Sequence, residues 1–236
     1  MNTKHDNKVI ARLTGGLGNQ MFQYAAARRI ALKNSSDLKI DLSWFEEKGE
    51  WTPRNYELGL FRLPVKIATA QEIHRLKSCR QNPLFRRLPG FLKSRIFHTN
   101  QSHIIEKSFA FDPAILTVSK SDIYLDGYWQ SYKYFQDIDD VIRNEFCLKH
   151  TLDHSAQLLA DRIKSCDSVS LHVRRGDYVT LPSANSCHGL CSIPYYQKAV
   201  SLIKERITEP YFFIFSDDIE WVKQNLCVDA PTIYVE

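Results

Sequence analysis

SVSLHVRRGDYV, Ser168 to Val179, is the stretch from which the fold can be read. It begins as an alternating, β-prone run, with Val169, Leu171 and Val173 on one side, and breaks off at Arg174, Arg175, Gly176 and Asp177. Period-two alternation predicts a strand, and glycine followed by a carboxylate predicts a turn. Two guanidiniums at the carboxyl end of a strand make a candidate anion site. The planar fork of arginine meets phosphate oxygens two at a time and keeps its charge. In open α/β sheets ligands lie outside the carboxyl ends of the strands. The plainer reading has Arg174 and Arg175 capping a surface strand and pairing with nearby acids.

Working outward, the same unit recurs. Lys8 to Leu13 reads as a strand, TGGLGNQ (Thr14 to Gln20) as a glycine turn, and about Met21 to Lys33 as a helix with Phe22, Ala25, Ala26, Ile30 and Ala31 at core spacing. A helix start after a glycine turn can hold an anion. Gly16-Leu17-Gly18 opens like a dinucleotide fingerprint, but Met21 stands at the third glycine position, so that reading is weak. The glycines serve equally well for a tight turn and close packing, whereas the amides of Asn19 and Gln20 suit sugar hydroxyls. DLKIDL (Asp37 to Leu42) is a second strand, and Ser43 to Pro64 is irregular and aromatic. Trp44, Phe45, Trp51 and Tyr56 there suit packing first and sugar stacking second. Ile123 to Ser131 reads as a strand ending in a polar aromatic cluster. Helices follow at about Tyr134 to Phe146, with Asp137, Asp139 and Asp140 near its amino end, and at His154 to Lys164.

Beyond the arginines, a loop spans Thr180 to Ile193. Pro194 then opens a helix at Tyr195. Tyr211 to Phe215 is a buried strand that delivers Ser216, Asp217 and Asp218 ahead of a helix from Ile219 to Leu226, and PTIYVE starts another strand. Strands alternating with helices predict an α/β protein with parallel sheet.

The 236 residues, 44% hydrophobic and 25% charged, describe ordinary globular material. A net charge of +4 suggests anionic ligands without requiring nucleic acid. No apolar run resembles a signal peptide or a bilayer span. The six scattered cysteines therefore read as reduced thiols of a cytoplasmic protein. Cys187, His188 and Cys191 lie close together, but no second pair stands at metal spacing. From Ile73 to Ile105 there is no acidic residue, while Arg75, Lys77, Arg80, Arg86, Arg87, Lys93 and Arg95 are interleaved with apolar residues. Such a pattern suits a peripheral contact with an anionic membrane surface, or a solvated loop region with its own small core. It contains no nucleic-acid-binding motif.

Three strand ends thus carry polar groups: TGGLGNQ, HVRRGDY and SDD. Together with LDGYWQSYKYF (Leu125 to Phe135), YYQKAV (Tyr195 to Val200) and FSDDIEWVKQNL (Phe215 to Leu226), they resemble the inverting α-1,2-fucosyltransferases, glycosyltransferase family 11. The opening GGLGNQMFQYAAARRIA is similar to that family's amino-terminal signature. The resemblance covers nearly the whole chain, in the family's order.

It implies a GT-B fold of two Rossmann-like halves facing a cleft. Residues 1–150 would form the acceptor half and 151–236 the half that binds GDP-fucose. By motif position Arg174 and Arg175 would hold the donor diphosphate, and His172 with Asp217 or Asp218 would contact guanosine. Asp177 would lie near the donor sugar, and Gly16, Gly18 and Asn19 would line the donor site from the other half. The reaction implied is transfer of fucose with inversion to the 2-hydroxyl of a terminal galactose, on an acceptor such as a lipid-linked O-antigen unit. Asp126, Asp177 and Glu46 are the candidate general bases, although Asp126 could instead bind backbone amides. Paired acids such as Asp217 and Asp218 hold metals in other glycosyltransferases. Here the arginines are expected to supply that charge, so neither metal nor other cofactor is expected.

Members of the family generally continue into an Asn-Ser-Ser-Phe-Ser-Trp-Trp type motif that completes the donor pocket, and nothing like it occurs here. The resemblance therefore implies an incomplete carboxyl-terminal half. It leaves a second reading, a non-catalytic binding protein for nucleotide sugar or glycan.

Overall fold

The computed structural model describes residues 7–47, 49, 52–78, 103–119, 122–182, 185–186 and 189–236. The chain divides into two compact units, Met1–His150 and Thr151–Glu236. Both are α/β with wholly parallel sheets.

In the first unit, strands β1 (Lys8–Arg12), β2 (Asp37–Asp41), β3 (Lys66–Ile67), β4 (His103–Ile105) and β5 (Asp122–Asp126) form one sheet in the order β3-β2-β1-β5-β4. The central pair is apolar along its length, with Val9, Ile10, Ile123 and Tyr124 fully buried, as strands covered on both faces require. Helix α1 (Leu17–Lys33) packs Tyr24, Ala25, Ala26, Ala27, Ile30 and Ala31 into this core. Its alanines allow close approach to the sheet. The Tyr24 hydroxyl also donates to Glu145 at 2.7 Å and Arg28 pairs with the same carboxylate at 2.7 Å, pinning α1 to the short helix α3 (Asp139–Glu145).

Several elements differ from the sequence expectation. Helix α1 begins at Leu17, four residues before Met21, because the bend is completed by Gly15, whose φ is +73°, and extended Gly16 already caps the helix. The low helix propensity of glycine hid that turn. Strand β5 stops at Asp126, short of Ser131. The carboxylate of Glu106 accepts from the backbone N–H groups of Tyr128 and Trp129 at 2.6 and 3.1 Å and folds the segment back, with Trp129 at a φ of +54°. The expected helix from Tyr134 begins as 3-10 turns at Tyr132–Tyr134 and Gln136–Ile138, where Asp137 pairs with Arg29 rather than capping a helix.

The acid-free stretch is not uniformly a loop. Its first residues finish helix α2 (Ala70–Ser78) and its last three are β4. Arg75 pairs with Asp122, and Lys77 lies 3.5 Å from the buried Asp41. Those two cations therefore stabilise the sheet. Arg80, Arg86, Arg87, Lys93 and Arg95 lie outside the described residues, as do Trp51, Cys187 and His188. Phe45 and Tyr56 pack against the core. No helix among the described residues is long and apolar enough to cross a membrane.

In the second unit, β6 (Ser168–Val173), β7 (Tyr211–Ser216) and β8 (Thr232–Val235) lie side by side in that order. The central strand buries Phe212, Phe213 and Ile214 consecutively, whereas edge strand β6 alternates, with Leu171 and Val173 inward and Ser170 and His172 exposed. Helix α4 (His154–Lys164) precedes β6, and α5 (Gly176–Thr180), a single turn not expected from the sequence, follows it at once. Helices α6 (Ile193–Lys204) and α7 (Ile219–Asn225) present Tyr196, Val200 and Val222 to Leu171, Val173, Phe212 and Ile214.

Candidate functional site

The register of β6 on β7 pairs Val173 with Ser216, so the two strands end together. The turn Arg174-Arg175-Gly176 is thereby set beside Asp217 and Asp218. Ser216 stitches the ends: its hydroxyl donates to the Val173 carbonyl at 2.8 Å and accepts from the Asp218 N–H at 2.9 Å.

Asp217 faces the turn with both oxygens. Oδ1 accepts from the backbone N–H groups of Arg175 and Gly176 at 2.8 and 3.0 Å, and Oδ2 lies 2.7 Å from Nη1 of Arg174. A side chain at Gly176 would place its Cβ 2.6 Å from that Oδ2, so glycine is required for the approach. Asp177 takes the other end of Arg174, with Oδ1 2.7 Å from Nη2. Arg175 is held differently: Nε donates to Asp218 at 2.9 Å, and its guanidinium carbon sits 3.5 Å from the ring centroid of Trp221. A guanidinium has more N–H groups than these contacts use. Both arginines keep part of their side-chain surface exposed, 31% for Arg174 and 17% for Arg175.

The pairing with nearby acids is therefore real, and it coexists with an arginine pair set at the carboxyl edge of a parallel sheet. Two guanidiniums face three carboxylates, Asp177, Asp217 and Asp218. The arginines expected to stand in for a metal's charge are thus themselves ion-paired. Their contribution is directed N–H groups held in place. His172 is exposed on the face of β6 opposite Leu171 and Val173.

A second polar cluster lies in the first unit, where the strand order reverses between β1 and β5. Such switch points are where α/β sheets bind ligands. Arg12 ends β1 and Asp126 ends β5, with Nη1 and Oδ1 3.3 Å apart. Nη2 of Arg12 lies 2.9 Å from Glu47, and Nε2 of His103 lies 3.3 Å from the other oxygen of Asp126. Burial works to raise the Asp126 carboxyl, but the pull of His103 and Arg12 outweighs it and holds the group below its ordinary range. The Nε of Arg12 is buried and has no hydrogen-bond partner among the described residues.

Asp126 thus pairs with side chains; the backbone amides of Tyr128 and Trp129 that follow it are bound by Glu106. Asn19, in the first turn of α1, accepts from Gln130 at 2.7 Å. Gln20, read from sequence as available to a sugar, is fully buried. It donates to the carbonyls of Gly15 and Asn55 at 3.0 and 2.8 Å and accepts from the Glu57 N–H at 2.9 Å, so its role is to brace the turn. Gly16 caps α1 and Gly18 is exposed with open space at its Cα. Glu46 is exposed in the 3-10 turn Ser43–Glu46.

Sequence reasoning missed Arg12, Glu47, His103, Glu106 and Trp221. Arg12 carried the signal that exposed Arg174, a cation closing an apolar strand. Trp221 and His103 carried none, since only the folded chain places them.

The profile of the family described as Glycosyl transferase family 11 matches residues 96–235. The chain belongs to glycosyltransferase family 11. Within that family it is 36% identical over 222 residues to an alpha-1,2-colitosyltransferase of Escherichia coli, covering 92% of this chain and 71% of the relative. It is 32% identical over 233 residues to the O-antigen biosynthesis glycosyltransferase WbnK of Escherichia coli, covering 94% and 76%. A galactoside alpha-(1,2)-fucosyltransferase 1 of Leontocebus fuscicollis is 29% identical over 109 residues, 43% of this chain and 30% of that one. Among solved structures, fucosyltransferase NodZ from Bradyrhizobium matches with a TM-score of 0.49 and 14% identity, covering 98% of this chain and 79% of that one. That likeness is too loose to assign any role. As a family 11 member, the chain is a glycosyltransferase, and its HVRRGDY and SDD strand ends form one contiguous cluster.

Proposed function

We propose that this glycosyltransferase transfers L-fucose from GDP-fucose to the 2-hydroxyl of a terminal galactose, with inversion and without a metal ion. The observation that carries the reading is the clamped arginine pair: Arg174 between Asp177 and Asp217, Arg175 between Asp218 and Trp221.

In this reaction the acceptor oxygen bonds to the anomeric carbon as the bond from that carbon to the donor phosphate oxygen breaks. The electron pair departs with GDP, and the proton of the acceptor hydroxyl passes to solvent, so the products are the glycoside, GDP and one proton. Negative charge grows on the diphosphate, and guanidiniums already fixed there meet it without reorganising. Such contacts strengthen as the reaction proceeds, which is what lowers a barrier. Each of the three carboxylates is already paired with a guanidinium, and a divalent cation would have to compete with those ion pairs. This supports metal independence, and abolition of turnover by EDTA would overturn it. In the first unit Asn19 and the Arg12–Asp126 cluster offer polar groups suited to acceptor hydroxyls. Its low pKa makes Asp126 a weak base, and Asp177 is committed to Arg174, so neither is assigned the acceptor proton.

The relative named for O-antigen biosynthesis supports an O-antigen unit as acceptor, and the one named a galactoside fucosyltransferase supports galactose in it; that the unit is lipid-linked and met in the cytoplasm is part of the proposal. The similarity to a colitosyltransferase favours a second reading, in which the donor sugar is colitose. That sugar lacks the 3-hydroxyl of fucose, and a pocket built to hydrogen-bond a hydroxyl rejects the analogue without it strongly. The test is release of GDP from GDP-fucose and from GDP-colitose in the presence of a β-galactoside, with the product linkage read by NMR. Release with fucose and an α-1,2 product supports the proposal. Release with colitose alone moves the donor to the second reading. Retention of either donor without release identifies a binding protein.

A further inference from the structure

We infer that Asp217 is a positioning residue that aims Arg174, and not a contact for the nucleotide base. The inference rests on the donor reading above. A carboxylate only accepts hydrogen bonds, and Asp217 has committed both oxygens to the arginine turn. Oδ1 accepts from two backbone N–H groups, of Arg175 and Gly176, and Oδ2 is ion-paired with Nη1 of Arg174 at 2.7 Å.

The surrounding chemistry is built for this contact. The pairing of Val173 with Ser216 brings the strand ends level, and the Ser216 hydroxyl locks them through Val173 and Asp218. Gly176 leaves the space that Asp217 fills. Asp177 grips the opposite nitrogen of Arg174. The guanidinium is therefore fixed from both ends, and it has more N–H groups than the two acids use. A site works when its charged group is held by a supporting shell, and here that shell is Asp217 on one strand end and Asp177 on the other. The neighbouring Asp218 serves Arg175 in the same way, so the consecutive acids divide the two arginines between them.

The test is Asp217→Asn in the full chain, with affinities for GDP and UDP from calorimetry and with kcat and KM from GDP release. Asparagine keeps an oxygen for the two backbone N–H groups but turns an NH2 toward Arg174, so the ion pair is lost and a donor faces a donor. The expected result is a loss of GDP affinity on the order of tenfold, a larger fall in kcat than rise in KM, and an unchanged preference for GDP over UDP. In an Arg174→Ala background the same substitution should have no further effect, since the two act as one unit.

Gly176→Ala provides a second variant that keeps every charge. It crowds Asp217 off Arg174, and should reproduce the loss of affinity with base preference intact. A collapsed preference for GDP over UDP would show that Asp217 reads the base and overturn the inference. So would unchanged affinity and turnover, or additive effects in the double variant. If the unmodified chain binds no guanine nucleotide, the donor reading falls and this inference falls with it. If it binds GDP and only Asp217→Asn behaves otherwise than stated, the donor reading stands alone.

Discussion

Arg175 sits over the indole of Trp221, its guanidinium carbon 3.5 Å from the ring centroid, while Asp218 holds its Nε at 2.9 Å. The ring and the carboxylate fix the plane of the fork together. A partly desolvated cation over tryptophan is worth about 1–2 kcal/mol. Trp221→Leu is expected to weaken GDP binding roughly five- to thirtyfold by that amount, and Trp221→Phe to retain part of it. Calorimetric titration checks both. Unchanged affinity in Trp221→Leu would assign the orientation of Arg175 to Asp218 alone.

Arg174 supplies the other fork. Removing one preorganised donor from developing charge typically costs about 3 kcal/mol, on the order of a hundredfold in rate. Arg174→Ala is expected to lose at least that in kcat. Arg174→Lys should not recover it, because an ammonium cannot satisfy Asp177, Asp217 and a phosphate from one point. Steady-state turnover decides this, and an Arg174→Ala variant with unimpaired turnover would refute the assignment.

How much of this could be read beforehand follows from where the information resides. The strand Ser168–Val173 and helix His154–Lys164 were legible because their apolar spacing and flanking residues agree. The arginine turn was legible because a charged pair ends an apolar run. The destinations of the acids were not. Nothing local distinguishes Asp217 facing guanosine from Asp217 facing Arg174, since that depends on the register of β6 against β7. The same holds for Glu106, which folds back Tyr128 and Trp129 from another strand end, and for Gln20, whose burial is set by Asn55 and Glu57.

The glycines of the opening signature can now be separated. Gly15 is left-handed, and a Cβ there would meet the Asn19 amide at 2.4 Å. Gly15→Ala is expected to cost roughly 1–3 kcal/mol, lowering the melting temperature by about 2–10 °C for a chain of this size. Gly18 lies in the first turn of α1 with nothing within 4 Å of an added Cβ. Gly18→Ala should be neutral or stabilising by up to about 1 kcal/mol. Scanning calorimetry of the two variants makes the comparison. Equal destabilisation would show that the open space at Gly18 has been misjudged.

Acid should loosen the first unit. Glu72 accepts from Lys39 and Lys8 at 2.7 and 2.8 Å and from the Thr69 N–H at 3.0 Å, and those bonds hold its carboxyl far below the ordinary range. Asp41 is also lowered: burial works to raise it, but its bonds from Tyr124 and Ser43 outweigh the burial. A carboxyl lowered by folding stabilises above its unfolded pKa, near 4, and that stability is lost as pH falls through the folded value. Melting temperature is therefore expected to hold from pH 7 to about 5 and to drop below roughly pH 4. Glu72→Gln should drop less steeply over the same range, and an identical slope would remove Glu72 from the account.

The three aspartates around the two arginines have a kinetic consequence. Seen from several ångströms away, Arg174 and Arg175 are more than offset by Asp177, Asp217 and Asp218, which leave the cluster one net negative charge, so the approaching anion meets no long-range attraction from it. Charged ligands drawn in by a protein's field bind at rates that fall steeply with ionic strength. Here the arrival of a nucleotide diphosphate should be nearly indifferent to salt, with recognition deferred to the moment of contact. Stopped-flow association rates for GDP between low and physiological salt should then change little, which marks a site that selects by fit after collision.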